Sequence, residues 1–295
     1  MSLSLLIVIV SSVCLVAVCY MGAGIILHPP NMSRMEIYPE QFGLRYEKVF
    51  FKTRDGLGLS GWFLPAPEPQ NEGRTILMCH GWGDNKGELL KFTHFLNAAG
   101  FNLLYFDFRS HGESEGEITT MGYYEVVDFE AAVNFLKERK PHLLGKLGVF
   151  GLSMGAAVTA MAMPEHPEVK CAVLESPFTD YKRVVRQWAW NNLRVPYFPL
   201  VIGTLLFLRW RVGQEGVDRY SPINFIKRIS PRPILVIGGE KDALMREEDV
   251  RRLYAAAGEP KQLWMIPDAA HAKAYQAGGF EYETRIANFF KRHLS

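Results

Sequence analysis

Short apolar segments alternate with helical segments over most of this chain, and no other feature of the sequence limits the fold as strongly. The apolar segments lack the polar–apolar alternation of a half-exposed strand, so both faces of each are expected to be buried. They are Thr75–Cys79, Asn102–Phe106, Leu147–Phe150, Val169–Leu174, Ile234–Ile237 and Gln262–Ile266. Helices are predicted near Glu88–Ala99, Tyr123–Arg139, Met154–Met163, Glu247–Ala256 and Glu281–His293. The pattern predicts an α/β fold with a mostly parallel sheet and helices on both faces.

Two further strand-like segments precede this alternation. They are Arg45–Thr53 and Leu57–Leu64, and Asp55-Gly56 between them is typical of a tight hairpin turn. We therefore expect an antiparallel pair ahead of the parallel strands.

A long insertion interrupts the alternation at about residues 178–230. Its apolar character comes largely from aromatic side chains: Tyr181, Trp188, Trp190, Tyr197, Phe198, Phe207 and Trp210. We interpret it as a mostly helical cap over the carboxyl edge of the sheet, where open α/β sheets bind ligands. The alternative is a peripheral helical pair without a substrate role. Within it, Val195–Leu208 is almost continuously apolar with arginines on both sides, which favours pocket lining or membrane contact over simple burial.

The N-terminal segment Leu3–Leu27 has 25 residues and no charged side chain. As a helix it would rise about 37 Å, more than the roughly 30 Å of a bilayer's hydrocarbon core. We predict a transmembrane anchor within residues 1–30 and a catalytic domain over residues 31–295. A cleaved signal peptide is the alternative, but no Lys or Arg precedes the segment and its length exceeds a usual signal.

The charges after this segment give a weak indication of its orientation. Arg34, Arg45 and Lys48 follow the span and no basic residue precedes it, which favours a catalytic domain on the cytoplasmic side. Because the first predicted strand starts near Arg45, removal of residues 1–30 is expected to release a soluble, active domain.

Charge and composition exclude several classes of partner. The 33 basic and 31 acidic residues nearly balance, so nucleic acid is not expected to bind. The eight histidines and four cysteines form no cluster with metal-ligand spacing, so no metal site is expected.

A candidate nucleophile lies in Gly151-Leu-Ser-Met-Gly155, between a predicted strand and a predicted helix. This G-x-S-x-G pattern places a serine on a sharp strand-to-helix turn with its hydroxyl exposed, and flanking glycines allow the close approach of neighbouring backbone. Ser153 is therefore the predicted nucleophile.

A serine nucleophile needs a base, and the base needs an orienting carboxylate. Asp242 follows the strand Ile234–Ile237 and is favoured over Glu240, which lies closer to the strand. Glu175, at the end of the preceding strand, is the reserve candidate. Two histidines follow Asp242 in the chain. His271 lies on a loop after the last strand and is the predicted base, in preference to His293 on a polar helix end.

Acyl transfer also needs backbone donors for the oxyanion. The amide of Met154, directly after the nucleophile, is one candidate. The amide of Trp82 is the other, because it lies in the glycine-containing loop His80-Gly-Trp-Gly-Asp84 after a strand.

A dinucleotide-binding fold is the competing interpretation of that loop. The segment Gly81-Trp-Gly83 with Gly87 opens a predicted helix, but G-x-G-x-x-G requires glycine where Lys86 stands. This interpretation also leaves Ser153 and His271 unexplained.

Taken together, the motifs resemble those of the α/β-hydrolase superfamily. They are His80-Gly-Trp-Gly83, Asp107-Phe-Arg-Ser-His-Gly-Glu-Ser114, Gly151-Leu-Ser-Met-Gly155, Gly239-Glu-Lys-Asp242 and Ala270-His271, within residues 45–294. The chain is similar to prolyl-oligopeptidase-like and serine-aminopeptidase-like hydrolases, several of which carry an N-terminal anchor. The resemblance implies an eight-stranded sheet, the triad of Ser153, Asp242 and His271, and no cofactor. It also implies that the polar side chains of the second motif, Asp107, Arg109 and His111, are buried hydrogen-bonding groups.

The expected activity is acyl transfer to water. An apolar cap beside a membrane anchor favours an ester or thioester with an acyl chain, and the bilayer and a small acyl substrate are then the expected partners. A serine peptidase is the second candidate. Binding of a free peptide amine would require a pair of acidic residues near the site, and the cap contains Glu215 and Asp218. A non-catalytic binding protein on the same scaffold is a third possibility.

Overall fold

An eight-stranded sheet forms the centre of the computed structural model, which describes residues 2–29, 35–67, 73–213 and 219–295. The strands are Glu47–Lys52 (β1), Gly58–Leu64 (β2), Thr75–Cys79 (β3), Asn102–Phe106 (β4), Leu147–Leu152 (β5), Val169–Glu175 (β6), Ile234–Gly239 (β7) and Lys261–Ile266 (β8). Their order across the sheet is β1-β2-β4-β3-β5-β6-β7-β8. Strand β2 is antiparallel to both neighbours and the remaining pairs are parallel. The predicted mostly parallel sheet with an N-terminal hairpin is confirmed.

The helices of the described residues are Leu3–Leu27 (α1), Lys86–Thr93 (α2), Phe95–Ala98 (α3), Glu125–Arg139 (α4), Met154–Ala162 (α5), Tyr181–Leu193 (α6), Ile202–Val212 (α7), Glu247–Ala256 (α8) and Ala274–His293 (α9). A π-helical turn, Tyr197–Val201, leads into α7. Short 3₁₀ turns cover Pro39–Phe42, Pro141–Lys146, Met163–Glu165, Pro222–Asn224 and Ile226–Ile229. The last helix starts before the predicted Glu281, because a bend at Gly279, with φ of +48°, breaks the apolar periodicity of its first turns.

Both faces of the sheet carry an apolar core. In β3, Leu77 and Cys79 face the side covered by α4, α5 and α8, whereas Ile76 and Met78 face the side covered by α2, α3 and α9. This two-sided burial is why the strands are apolar at nearly every position.

The cap contains helices, as predicted, and α6 is tied to the carboxyl edge of the sheet. The side-chain amides of Gln187 and Asn191 donate to the carbonyl oxygen of Ala243 at 3.1 and 2.7 Å, just after β7. In α7 the apolar segment divides: Leu205 and Leu208 are buried in the core, while Leu206 is exposed. The two acidic residues of the cap that are candidates for amine binding, Glu215 and Asp218, lie outside the described residues.

Helix α1 has two parts with different surroundings. Leu3–Val18 is exposed along its length, whereas Cys19, Ala23, Ile26 and Leu27 are buried against the rest of the chain. By length and composition α1 can cross a membrane. Its last turns nevertheless belong to the same core as the sheet and the cap.

The contact between α1 and α7 is close because both helices present small residues. A Cβ atom on Gly22 would lie 2.6 Å from Thr204 Oγ1, and one on Gly203 would lie 2.4 Å from Cys19 Sγ. Glycine at such crossings allows helix backbones to approach closely. The apolar segment of the cap thus packs directly on the N-terminal helix.

Removal of residues 1–30 is therefore expected to lower the melting temperature by roughly 10 °C relative to removal of residues 1–17. The shorter deletion takes away exposed turns, whereas the longer one also removes Ile26 and Leu27, whose burial contributes about 3–6 kcal/mol. Circular dichroism of both truncated proteins in the same detergent checks this. Equal melting temperatures would mean that the end of α1 adds nothing to the fold, as the sequence alone suggests.

Candidate active site

Ser153 occupies a strained turn between β5 and α5. Its φ of +51° and ψ of −110° are unusual for a residue with a side chain. The two motif glycines make this turn possible. A Cβ on Gly155 would lie 2.1 Å from the carbonyl oxygen of Cys79, and one on Gly151 would lie 2.6 Å from the carbonyl oxygen of Gly155. The turn is held by the amide of Ser153, which donates to the carbonyl oxygen of Glu175 at 2.8 Å.

The structure brings the three predicted triad residues together. His271 Nε2 lies 3.1 Å from Ser153 Oγ, and His271 Nδ1 lies 2.8 Å from Asp242 Oδ2. The other oxygen, Asp242 Oδ1, accepts hydrogen bonds from the amides of Leu244 and Met245 at 2.9 and 2.7 Å. These bonds fix the carboxylate so that it accepts the Nδ1 proton. Nε2 is then free to accept the proton of the serine hydroxyl.

The alternative site residues have other surroundings. Glu175 is buried, and its Oε2 accepts the hydroxyl hydrogen of Tyr282 at 2.5 Å. Burial raises the pKa of Glu175 to about 7. Glu240 is exposed beyond β7, and His293 lies against Phe289 at the end of α9. Asp242 is therefore the carboxylate that the structure pairs with His271.

Two buried histidines shape the loop that carries Trp82. His80 Nδ1 donates to the carbonyl oxygen of Gly81 at 2.8 Å, and its Nε2 accepts from the amide of Phe108 at 3.0 Å. His111 Nε2 accepts from the amide of Gly83 at 3.2 Å. Burial holds the pKa of His80 well below its ordinary value, so this ring is neutral at pH 7, as its donor-and-acceptor pairing requires.

The segments that carry the two predicted oxyanion donors lie next to Ser153. Met154 is the first residue of α5, where backbone amides have no partner within the helix. Gly81, which precedes Trp82, is so close that a Cβ on it would lie 3.6 Å from Ser153 Cβ. The indole nitrogen of Trp82 donates to the carbonyl oxygen of Ile26 at 3.0 Å, which ties this loop to α1.

The motif Asp107–Ser114 contributes to ion pairs next to the loop that carries Trp82. The ammonium of Lys86, fully buried, contacts the carboxylate of Asp107 and lies 2.7 Å from Glu113 Oε2. Arg109 pairs with Asp128 at 2.7 Å and with Asp55 at 2.9 Å. Lys86 fills the place where a dinucleotide-binding loop would need glycine, so the chain lacks the close backbone approach that a pyrophosphate requires.

One acidic residue near the site was not singled out from the sequence. A Cβ on Gly81 would lie 2.9 Å from Asp84 Oδ2 as well as close to Ser153. Burial, followed by the charge of Glu88, raises the pKa of Asp84 to about 6, against the opposing charges of His271 and Lys273. Its position directly after Gly81-Trp-Gly83 is the one sequence feature that could have indicated a place near the site.

No group of three or more His, Cys, Asp or Glu side chains within the described ranges is arranged to hold a metal ion. The four cysteines are all unpaired thiols; Cys79 and Cys171 are buried in the sheet and Cys14 is exposed on α1.

Several known proteins are similar to this chain. A family model described as serine aminopeptidase, S33, matches residues 70–206. The uncharacterized protein YfhR of Escherichia coli O157:H7 is 28% identical over 254 residues, which cover 84% of this chain and 82% of that protein. The α/β-hydrolase domain-containing protein WAV2 of Arabidopsis thaliana is 26% identical over 282 residues, which cover 90% of this chain and 85% of WAV2.

Among solved structures, the esterase Pf2001 of Pyrococcus furiosus is similar over 92% of this chain and 99% of its own, with 27% identity and a TM-score of 0.77. This similarity extends over most of the chain. Together with the family model and the relatives, it identifies the chain as a hydrolase of the α/β-hydrolase superfamily.

Proposed function

We propose that this protein is a membrane-anchored serine hydrolase that cleaves carboxylic esters or thioesters with apolar acyl groups. The observation that carries the proposal is the hydrogen-bonded series Ser153–His271–Asp242, with the serine on a strained turn. The esterase activity named for Pf2001 of Pyrococcus furiosus supports the same reaction class.

In the proposed reaction, Ser153 Oγ attacks the acyl carbon while His271 Nε2 takes the hydroxyl proton. Asp242 keeps the proton of Nδ1 in place and stabilises the imidazolium that forms. The negative charge develops on the former carbonyl oxygen, where the amides of Trp82 and Met154 are proposed to donate.

The tetrahedral intermediate then collapses to an acyl-enzyme. His271 gives its proton to the departing alcohol or thiol, and the bond from the acyl carbon to the leaving group breaks. A water molecule follows the same route, losing a proton to His271 as it attacks the acyl carbon. The acid is released and the hydroxyl of Ser153 is restored.

We propose that residues 1–30 serve as the anchor and residues 31–295 as the catalytic domain, with the cap at about 178–230. The basic residues Arg45 and Lys48 after α1 favour a cytoplasmic domain. The third residue of that argument, Arg34, lies outside the described residues.

A panel of substrates tests the reaction class. Full-length protein in detergent is expected to hydrolyse p-nitrophenyl esters with a kcat/KM at least about 100-fold above that for aminoacyl arylamides, because the apolar cap offers more to an acyl chain than to a charged amine. Release of nitrophenol and of arylamine measures both. Faster cleavage of arylamides would make the protein a peptidase. Two observations support this second candidate: the family model is described as a serine aminopeptidase, and the carboxyl group of Asp84 lies near the site.

A fluorophosphonate probe separates either enzyme from a binding protein. Labelling of the wild-type chain at Ser153 is expected because the probe reacts with an activated serine hydroxyl. Intact Ser153 that stays unlabelled would point to a non-catalytic protein.

A further inference from the structure

An apolar cavity of about 240 Å³ lies between α1 and the cap. Helix α1 contributes Val18, Met21 and Ile26 to its wall, and α6 contributes Val185, Trp188 and Ala189. Such a space suits a hydrocarbon chain rather than a polar ligand, because its lining offers few hydrogen-bonding partners.

The cavity is joined to the candidate active site through Trp82. The indole nitrogen of Trp82 donates to the carbonyl oxygen of Ile26, which belongs to the cavity wall. The ring of Trp82 also packs edge-to-face on Trp188, another wall residue, with centroids 5.7 Å apart. The same residue carries the proposed oxyanion amide beside Ser153. Trp82 thus contacts two residues of the cavity wall and belongs to the loop next to Ser153.

With α1 as the proposed membrane anchor, its length places this cavity next to the bilayer. The exposed part, Leu3–Val18, has 16 residues and rises about 24 Å, less than the roughly 30 Å of a hydrocarbon core. The last turns of α1 that pack on α7 must then supply the remaining depth. The cap therefore lies at the edge of the membrane.

Side chains on both helices are those expected at such an edge. The ring of Tyr20 contacts Phe207 at 5.6 Å, and the Arg211 guanidinium lies over Tyr20 at 5.8 Å. Leu206 and Trp210 of α7 are 59% and 75% exposed. Tyrosine, tryptophan and arginine are enriched where hydrocarbon meets water.

We propose that this cavity is the binding site for the acyl chain of a bilayer lipid ester, so that α1 is a wall of the substrate site as well as an anchor. The proposal rests on the proposed esterase function. A chain that passes from the bilayer into this cavity exchanges one apolar environment for another. The carbonyl group can then reach Ser153 without exposure of the chain to water.

Filling the cavity tests the proposal in full-length protein held in phosphatidylcholine nanodiscs. Val18→Phe and Ala189→Phe add a ring from opposite walls, and Val16→Phe adds the same ring outside the cavity lining. Both filling variants are expected to lower kcat/KM for p-nitrophenyl decanoate at least about tenfold, since each excluded methylene costs roughly fourfold. Hydrolysis of the acetate ester should stay within about twofold, and Val16→Phe should change neither rate. Unchanged decanoate hydrolysis in both filled variants, or equal losses on the two esters, would overturn the assignment.

A binding measurement separates this inference from the proposed reaction. A fatty acid with a terminal diazirine is irradiated with the Ser153→Ala protein in the same nanodiscs, and labelled peptides are mapped. Label on α6 is expected, with loss of that label in Ala189→Phe and retention in Val16→Phe. Label on α6 without any ester hydrolysis by the wild type would support the acyl site and refute the esterase function. Ester hydrolysis with label confined to Leu3–Val16 would support the esterase function and refute the acyl site.

Discussion

Ser153→Ala and His271→Ala are each expected to lower kcat for p-nitrophenyl acetate by at least about 10⁴-fold. The first variant removes the attacking oxygen and the second removes the group that takes its proton. Because the two residues act in one step, the double variant should be little worse than either single one. Initial rates, measured with protein whose circular dichroism spectrum matches the wild type, check this.

His142→Ala provides the matched control for the histidine variant, because His142 is exposed on a short turn ahead of β5. Its rate should stay near that of the wild type. Residual activity of Ser153→Ala within about tenfold of the wild type would contradict the assignment of Ser153 as nucleophile.

Asp242→Asn is expected to reduce kcat by about 10⁴-fold, whereas Glu175→Gln should keep the rate within a few-fold of the wild type. An amide at position 242 can donate to His271 Nδ1, which stabilises the tautomer whose Nε2 carries a proton and cannot accept one from the serine. Glu175 instead accepts a hydrogen bond from Tyr282, and glutamine has an oxygen that can do the same.

The two substitutions are a matched pair, since both replace a buried carboxyl with an amide of nearly equal size. Rates on the acetate ester and melting temperatures of both variants separate loss of chemistry from loss of fold. An inactive Glu175→Gln beside an active Asp242→Asn would assign the orienting acid to Glu175.

Much of the fold follows from local sequence patterns. Segments such as Thr75–Cys79 and Asn102–Phe106 predict their strands without error at either end, because two-sided burial leaves only their first residues polar. Boundaries shift where glycine or a polar residue continues an element, as at Gly239 in β7 and Glu175 in β6. An apolar pattern identifies residues that avoid water, so it does not predict that a buried glycine or polar residue at the end of a strand belongs to that strand.

The predicted site residues depend on chain order as much as on motif. Gly151-Leu-Ser-Met-Gly155 indicates a nucleophile turn because it lies between a predicted strand and a predicted helix, and in the structure glycine at its ends allows the close backbone contacts found there. The sequence favours Asp242 and leaves Glu175 in reserve, because the two residues lie at or just beyond the ends of neighbouring strands. In the structure it is the Asp242 carboxylate that meets His271 Nδ1.

Local patterns in the chain predict the alternation of strands and helices, the sharp turn at Ser153 and a 25-residue apolar helix. The packing of the end of this helix on the cap, and its contact with Trp82, are visible only in the folded chain. This difference arises because lipid and protein core are equally apolar. A residue facing the bilayer and one facing the cap therefore look alike in the sequence, and only the close crossing at Gly22 and Gly203 distinguishes them.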